Sequence, residues 1–333
     1  MLVGADEGLI FPADAAWDRA QQALNDGGFG DGLPLVVPTR ERMQAMLHGI
    51  TDPTRSYGAM APLFGELTIE AVAYCCVLAG CVPAELPVVL TAAVATLEPD
   101  FNLLGLQTTT GTPAVCIAVH GAAVQELRMN AGTNCLGPGN RANACIGRAL
   151  HLVLAAIGGA RPDIADMSTM GQPGKYVFCF AEGTHPLIPP LSTRRGIATG
   201  ASAVTVIGVA GTLEVLPRQP ADAPELVLAA IRDAMHGGRL ANAAGRDRPS
   251  GEQFVLVPPE IADLIQKRGW HLEQSQAQIW RESPTSANGE PWPLARSARD
   301  INFILTGGSG IKMTCLVPWG GGTFSVTRPL LSI

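Results

Sequence analysis

The stretch "TPAVCIAVHG", residues 112–121, is a nearly continuous apolar run bounded by Pro113 and Gly121. A run of this length, with no polar alternation, suits a strand buried on both faces of a sheet. Just downstream, residues 129–154 read "MNAGTNCLGPGNRANACIGRALHLVL". Here Ala142, Cys145, Ile146, Ala149, Leu150, Val153, Leu154 and Ile157 recur at helical spacing, which predicts an amphipathic helix with Cys145 on its buried stripe. A buried strand followed by a glycine-rich turn and a helix is the repeating unit of an α/β layer structure.

The same grammar recurs on either side. Upstream, the spacing predicts helices over residues 13–25, 67–79 and 85–97, the second ended by Gly80 and barred from continuing by Pro83. Residues 33–37 read as a short strand, followed by a helix that Pro38 and Thr39 open, with Thr39 as N-cap. Downstream, "AVTVIGVAGTLE" (203–214), "VLVPPEIADLIQ" (255–266) and "INFILTGGSG" (301–310) each start as apolar strands. The expected fold is α/β, with layered strands and helices joined by glycine-rich strand-to-helix turns. Residues 113–124 echo 203–214, and 35–47 echo 255–266, which leaves an internal duplication open. Two α/β halves, 1–160 and 161–333, are expected to pack as one unit, and 281–299 reads as a polar loop.

Composition narrows the class of function. Among 333 residues the net charge is −6, and no basic cluster offers the electrostatic footprint of a nucleic-acid binder. No apolar run reaches the length of a membrane span, and the first twenty residues lack the basic and apolar regions of a leader, so a cytoplasmic protein is expected. The eight cysteines fall mostly in apolar segments, and no C-x2-C pair is present. Neither a disulfide framework nor a metal site is expected, and no cofactor fingerprint is found.

Candidate chemistry gathers on the glycine-rich approach to the 142–157 helix. Cys135 precedes that helix, where free N–H groups and the positive end of the dipole stabilise a thiolate, with Arg128 and Arg141 adding charge. The alternative is a small side chain packed in a turn. Asn134, Gly137, Gly139, Asn140, Arg141 and Asn143 offer donors to a carboxylate, phosphate or enolate-like oxygen, or else merely cap the helix. Cys81 is a second thiol candidate, although the C-terminal end of its helix opposes ionisation.

His120 ends the 112–121 strand, where α/β folds place ligands, and is a candidate acid or base. Lys175, on a Gly/Pro turn, is a candidate cation, base or Schiff-base amine, or an exposed turn lysine. Thr109 offers a hydroxyl, and Gly307 and Gly308 bare backbone, to a ligand.

The blocks "GDGLPLVVPTRERMQAML", "LAGCVPAELPVVLTAAVATLEPDFNLLGLQTTT", "NAGTNCLGPGNRANACIGRALHLVL", "MGQPGKYVFCFAE" and "ILTGGSG" resemble a bacterial family associated with small proteins that carry a UGSC-type cysteine or selenocysteine motif. The resemblance spans roughly residues 29–329 and implies a thiol or selenol connection, including a thiol or selenol partner protein. One departure is Ile311-Lys312-Met313, which stands where the resemblance implies His-Ser after the last glycines.

Three readings follow. The first is a cysteine-dependent lyase, hydrolase or reductase that cleaves or reduces a carbon–heteroatom bond of a small anionic organic substrate. The second is a non-catalytic ligand-binding or partner-docking subunit. The third is a cofactor-free lyase or hydrolase. No nucleic acid or membrane partner is expected, and homo-oligomerisation is left open.

Overall fold

A computed structural model describes residues 10–242, 251–285, 289 and 292–333. Its centre is a mixed seven-stranded sheet. In chain order the described elements begin with helices α1 (Trp17–Asp26) and α2 (Arg40–Met46), the hairpin β1 (Ser56–Met60) and β2 (Gly65–Thr68), α3 (Ile69–Ala79), α4 (Leu86–Ala95) and α5 (Leu103–Thr108). There follow β3 (Ala114–His120), α6 (Ala122–Glu126), α7 (Arg141–Ala156), β4 (Cys179–Ala181), α8 (Leu191–Arg194) and β5 (Ala203–Val215). The chain then forms α9 (Pro224–Asn242), β6 (Gln253–Val257), α10 (Pro259–Lys267), α11 (Leu272–Arg281), β7 (Ile301–Leu305), β8 (Met313–Pro318) and β9 (Val326–Pro329).

The strands are ordered β4-β3-β5-β8-β6-β7, with β9 pairing alongside the first half of β5. β4 lies parallel to β3 and β7 parallel to β6, while β5 and β8 run antiparallel to both neighbours. The arrangement β4-β3-β5 is therefore repeated as β7-β6-β8 about the β5–β8 pair. This pseudo-two-fold relates β3 to β6 and β5 to β8. The echoing segments 113–124 and 203–214 are antiparallel hydrogen-bonded neighbours, Ala114 facing Val209 and His120 facing Ala203. Residue 160 marks no break, because β3 pairs with β4 and β5 across it.

Alternation along the strands sorts the core. Val115, Ile117 and Val119 join α3, α4 and α7 in one cluster, and Val255, Val257, Phe303 and Cys315 join α9, α10 and α11 in another. Ala114, Cys116, Ala118, Phe180, Ile207, Phe254 and Leu316 form a third cluster on the opposite face. A bulge between Val209 and Gly211 shifts the β5–β8 register by one residue, so that Val215 joins the helix-covered face that Val204 and Val206 share earlier in β5.

Thr39 caps α2 by accepting from the Arg42 N–H, and Gly80 closes α3 in the left-handed conformation at φ 84°, both as expected. Two expectations need correction. Residues 33–37 are extended but form no strand, since the Leu35 backbone N–H and carbonyl are satisfied by the Gln21 side chain instead of a neighbouring strand. Cys145 is half-buried rather than on the core stripe of α7, unlike its neighbours Ala142, Ile146 and Ala149. Of the 281–299 segment, residues 286–288, 290 and 291 lie outside the described residues, and the rest is mostly irregular.

Candidate functional site

Parallel pairing of β3 and β4 sets Val119 opposite Ala181, so the next residues, His120 and Glu182, leave the two strand ends together. His120 Nδ1 lies 2.5 Å from Glu182 Oε2, and its Nε2 lies 2.7 Å from Thr205 Oγ1 on β5. Thr205 faces Thr327 across the β5–β9 pair, with their hydroxyls 2.8 Å apart. Arg195 Nη1 donates to Thr327 Oγ1 at 3.0 Å, while its Nη2 binds Glu252 Oε1 at 2.7 Å. Glu252 also accepts from the Ser325 N–H and hydroxyl at 2.7 and 2.8 Å. His120 and Thr205 are fully buried, and Glu182 nearly so.

One arrangement of donors and acceptors lets these groups relay a proton. Arg195 is a donor only, so the Thr327 hydroxyl accepts from it and is left able to donate to Thr205. With the imidazole proton on Nδ1 and directed at Glu182 Oε2, Nε2 is left to accept from the Thr205 hydroxyl. Glu182 is further held by the Leu191 N–H at 2.9 Å. A proton entering at Thr327 can move through two hydroxyls to His120, which becomes an imidazolium beside a carboxylate.

The chain runs between two cavities. Glu182 lines one of about 540 Å³ with Gly121, Gly183, Thr184 and His185 at the carboxyl ends of β3 and β4. Thr327, Arg195, Glu252 and Ser325 line the other, of about 900 Å³, which opens where β9 and the start of β7 meet α8 and α11. Arg194 and Arg299 also line the larger cavity. Arg194 donates to the Pro189 carbonyl at 2.9 Å and to the Phe303 carbonyl, and among the described residues no carboxylate lies within ion-pair distance of it. Burial lowers its pKa to about 10, the mark of a cation desolvated without a paired anion. Asp100, Glu273 and Asp300 line the same cavity without an ion-pair partner among the described residues, whereas Arg195 pairs with Glu252 and Arg328 with Glu98.

The loop ahead of α7 is occupied with its own structure. Asn140 caps α7 by accepting from the Asn143 N–H, and donates to the Arg128 carbonyl at 2.9 Å. Asn143 is buried and donates to the carbonyls of Asn130 and Cys135 while accepting from the Asn130 N–H. Asn134 bonds the Pro138 carbonyl at 2.7 Å. A Cβ on Gly137 would fall 2.2 Å from the Asn134 side chain, and Gly139 adopts φ 124°. Arg128 is exposed, and its backbone adopts φ 52°.

Arg141 is engaged elsewhere. Its guanidinium grips the fully buried Glu85 in a two-pronged ion pair of 2.6 and 3.0 Å, and also reaches the Gly80 carbonyl. The expectation that Arg141 is free to hold an anion is corrected by that pair: the Glu85 carboxylate is already the anion it holds.

Six of the eight thiols are poorly placed for ionisation. Hydrogen bonding to Cys76 and burial raise Cys81, and burial, with the charges of Cys81 and Glu85, raises Cys145 despite Arg141 beside it. Burial likewise raises Cys75, Cys116 and Cys179, and pushes Cys315 up to about 12. Cys135 is buried in the 132–138 turn, its N–H bonded to the Gly132 carbonyl. Among the described residues no group of three or more His, Cys, Asp or Glu side chains could hold a metal.

Lys175 lies apart from these groups, donating to Asp166 at 2.5 Å and Ser168 at 2.6 Å. Thr109 Oγ1 accepts from the Gly111 N–H in a local turn. Gly307 and Gly308 do meet the 130–135 loop: the Gly307 N–H donates to the Ala131 carbonyl at 2.9 Å, and a Cβ on Gly308 would lie 2.1 Å from Thr133 Oγ1. The glycines serve this loop-to-loop packing.

Sequence reading found His120 but not its partners. A carboxylate directly after β4 was the available sign for Glu182, and a lone hydroxyl inside "AVTVIGVAG" the sign for Thr205. Nothing local marked Thr327 or Arg194. Compared with known proteins, the chain matches no family model and no curated protein. No single described helix is long and apolar enough to cross a membrane.

Proposed function

We propose that the protein is a cofactor-independent acid–base enzyme acting on a small hydrophilic organic anion in the 900 Å³ cavity. The observation that carries this reading is Arg194, a desolvated guanidinium without a paired carboxylate on the wall of a cavity of ligand size. Asp100, Glu273 and Asp300 on the same wall favour a molecule that also carries hydroxyl or amino groups, as a hydroxy or amino acid does. The anionic substrate inferred from sequence is retained, but its seat moves from the Arg141 loop to the Arg194 cavity.

In this reading Thr327 Oγ1 meets the substrate. It takes a proton and passes its own to Thr205, whose hydroxyl proton goes to His120 Nε2. The electron pair stays on the substrate, where Arg194 and Arg299 stabilise it, and Glu182 offsets the imidazolium charge. Proton abstraction of this kind suits a lyase or isomerase. A thiol-dependent reaction rests on the place of Cys135 ahead of α7 and on the family resemblance, and it lacks the help of Arg141, which is committed to Glu85.

The experiment is calorimetric titration with L-malate, citrate and L-glutamate. At least one is expected to bind the wild type saturably, at least tenfold more weakly to Arg194→Gln and Arg299→Gln, and equally to Arg141→Lys. Binding lost in Arg141→Lys but kept in both cavity variants would overturn the reading.

A further inference from the structure

A third cavity, of about 750 Å³, lies at the start of β3, the opposite end of that strand from His120, and has no part in the function proposed above. Pro113, Leu152, Leu154, Pro162 and Tyr176 give it a largely apolar wall. The irregular segment between α7 and β4 borders it and exposes Ile164, Met167, Met170 and Tyr176, with Met170 86% accessible. Four large apolar side chains left in water on one loop beside an apolar cavity are the usual mark of a ligand-binding mouth, and methionine adapts to varied shapes.

The polar groups on this wall are nearly all matched. Lys175 pairs with Asp166, and Asp31 with Arg148 at 2.8 Å through both oxygens. Arg161 is the exception: among the described residues no carboxylate lies within ion-pair distance of it, and its Nε is buried without a hydrogen-bond partner. Its guanidinium is nevertheless firmly placed, since it occupies the space left by Gly28, where a Cβ would fall 2.0 Å from Arg161 Nη1. His151, also on the wall, has a buried Nε2 without a partner. Buried polar atoms without partners are rare in native proteins, and two of them belong to residues lining this one cavity.

The geometry points to a binding site for a hydrophobic monocarboxylate, its body among the apolar residues and its carboxylate against the Arg161 guanidinium. A carboxylate there neutralises a guanidinium charge that no carboxylate among the described residues matches. An apolar chain of about eight carbons fits within 750 Å³ and covers the apolar wall. A neutral alcohol of equal length leaves the guanidinium charge unmatched.

Octanoate and 1-octanol are the probes, titrated by calorimetry and followed by saturation-transfer NMR. Octanoate is expected to bind the wild type saturably and at least fivefold more tightly than 1-octanol. Arg161→Gln is expected to weaken octanoate at least tenfold and leave 1-octanol within twofold. Ala155→Phe, which fills the cavity from α7, is expected to abolish both, with the melting curve showing each variant folded. Arg194→Gln is expected to leave octanoate unaffected. Absence of saturable octanoate binding, or binding untouched by Arg161→Gln, would overturn the site. Loss of octanoate in Arg194→Gln would place it in the other cavity and overturn this inference while leaving the proposed function standing.

Discussion

Removing Arg141 tests whether its role is to hold a fold or a ligand. Glu85 is fully buried and has three hydrogen bonds: one from the Val82 N–H at 2.9 Å and two from Arg141. Arg141→Ala leaves a buried carboxylate with a single backbone donor. Breaking a buried ion pair costs about 3–5 kcal/mol. The Arg141 side chain is half exposed, so water reaches the emptied position and the cost falls to about 2–3 kcal/mol. Unfolding entropy of about 2.1 cal/mol/K per residue gives about 0.7 kcal/mol/K for 333 residues, so the melting temperature should drop by about 3–4 °C. Circular dichroism melts at neutral pH read this directly. Adding Glu85→Gln, which removes the stranded charge, should recover part of the loss. A melt of Arg141→Ala within 1 °C of wild type would refute the assignment and return Arg141 to the pool of free cations.

Other consequences are equally specific. Burial holds His151 at a pKa of about 4 against an ordinary 6.5, so the unfolded chain takes up a proton that the folded protein refuses between those values. Stability should therefore fall as pH drops from 6.5 towards 4, by up to about 3 kcal/mol from this group, and urea titrations of His151→Gln should show a flatter acid limb. Gly308→Ala pushes a Cβ to 2.7 Å from Thr133 Cα and should cost about 1–3 kcal/mol by chemical denaturation; an unchanged midpoint would mean the two loops part easily. Cys135→Ser should keep ligand binding and turnover while losing about 1–2 kcal/mol of stability for a buried hydroxyl, and complete loss of turnover in a folded variant would favour the thiol mechanism instead.

Much of the architecture was legible because it is written in local rules. The apolar run of β3, the left-handed Gly80 after α3 and the Thr39 cap each depend on a few neighbouring residues. The extended 33–37 segment misled because apolar composition alone does not specify a hydrogen-bonding partner, and here the partner is the side chain of Gln21. The site was harder. Position at a strand end marked His120, but Thr205 and Thr327 are separated by 122 residues and meet only through sheet pairing. Arg141 looked available because its helix-start position suits anion binding, and Glu85, 56 residues earlier, gave no sign that it would be buried beneath it. Arg194 is informative only through desolvation, which no sequence spacing reveals.

The central claim is that the anion belongs in the Arg194 cavity, and a crystal structure soaked with the tightest-binding acid of the malate, citrate and glutamate panel tests it most directly. The account predicts density with a carboxylate within hydrogen-bond distance of Arg194 and a second polar group at Thr327 Oγ1, with the Arg141–Glu85 pair intact. Density instead at the 137–141 loop, with Arg141 turned away from Glu85 to meet it, would contradict the account.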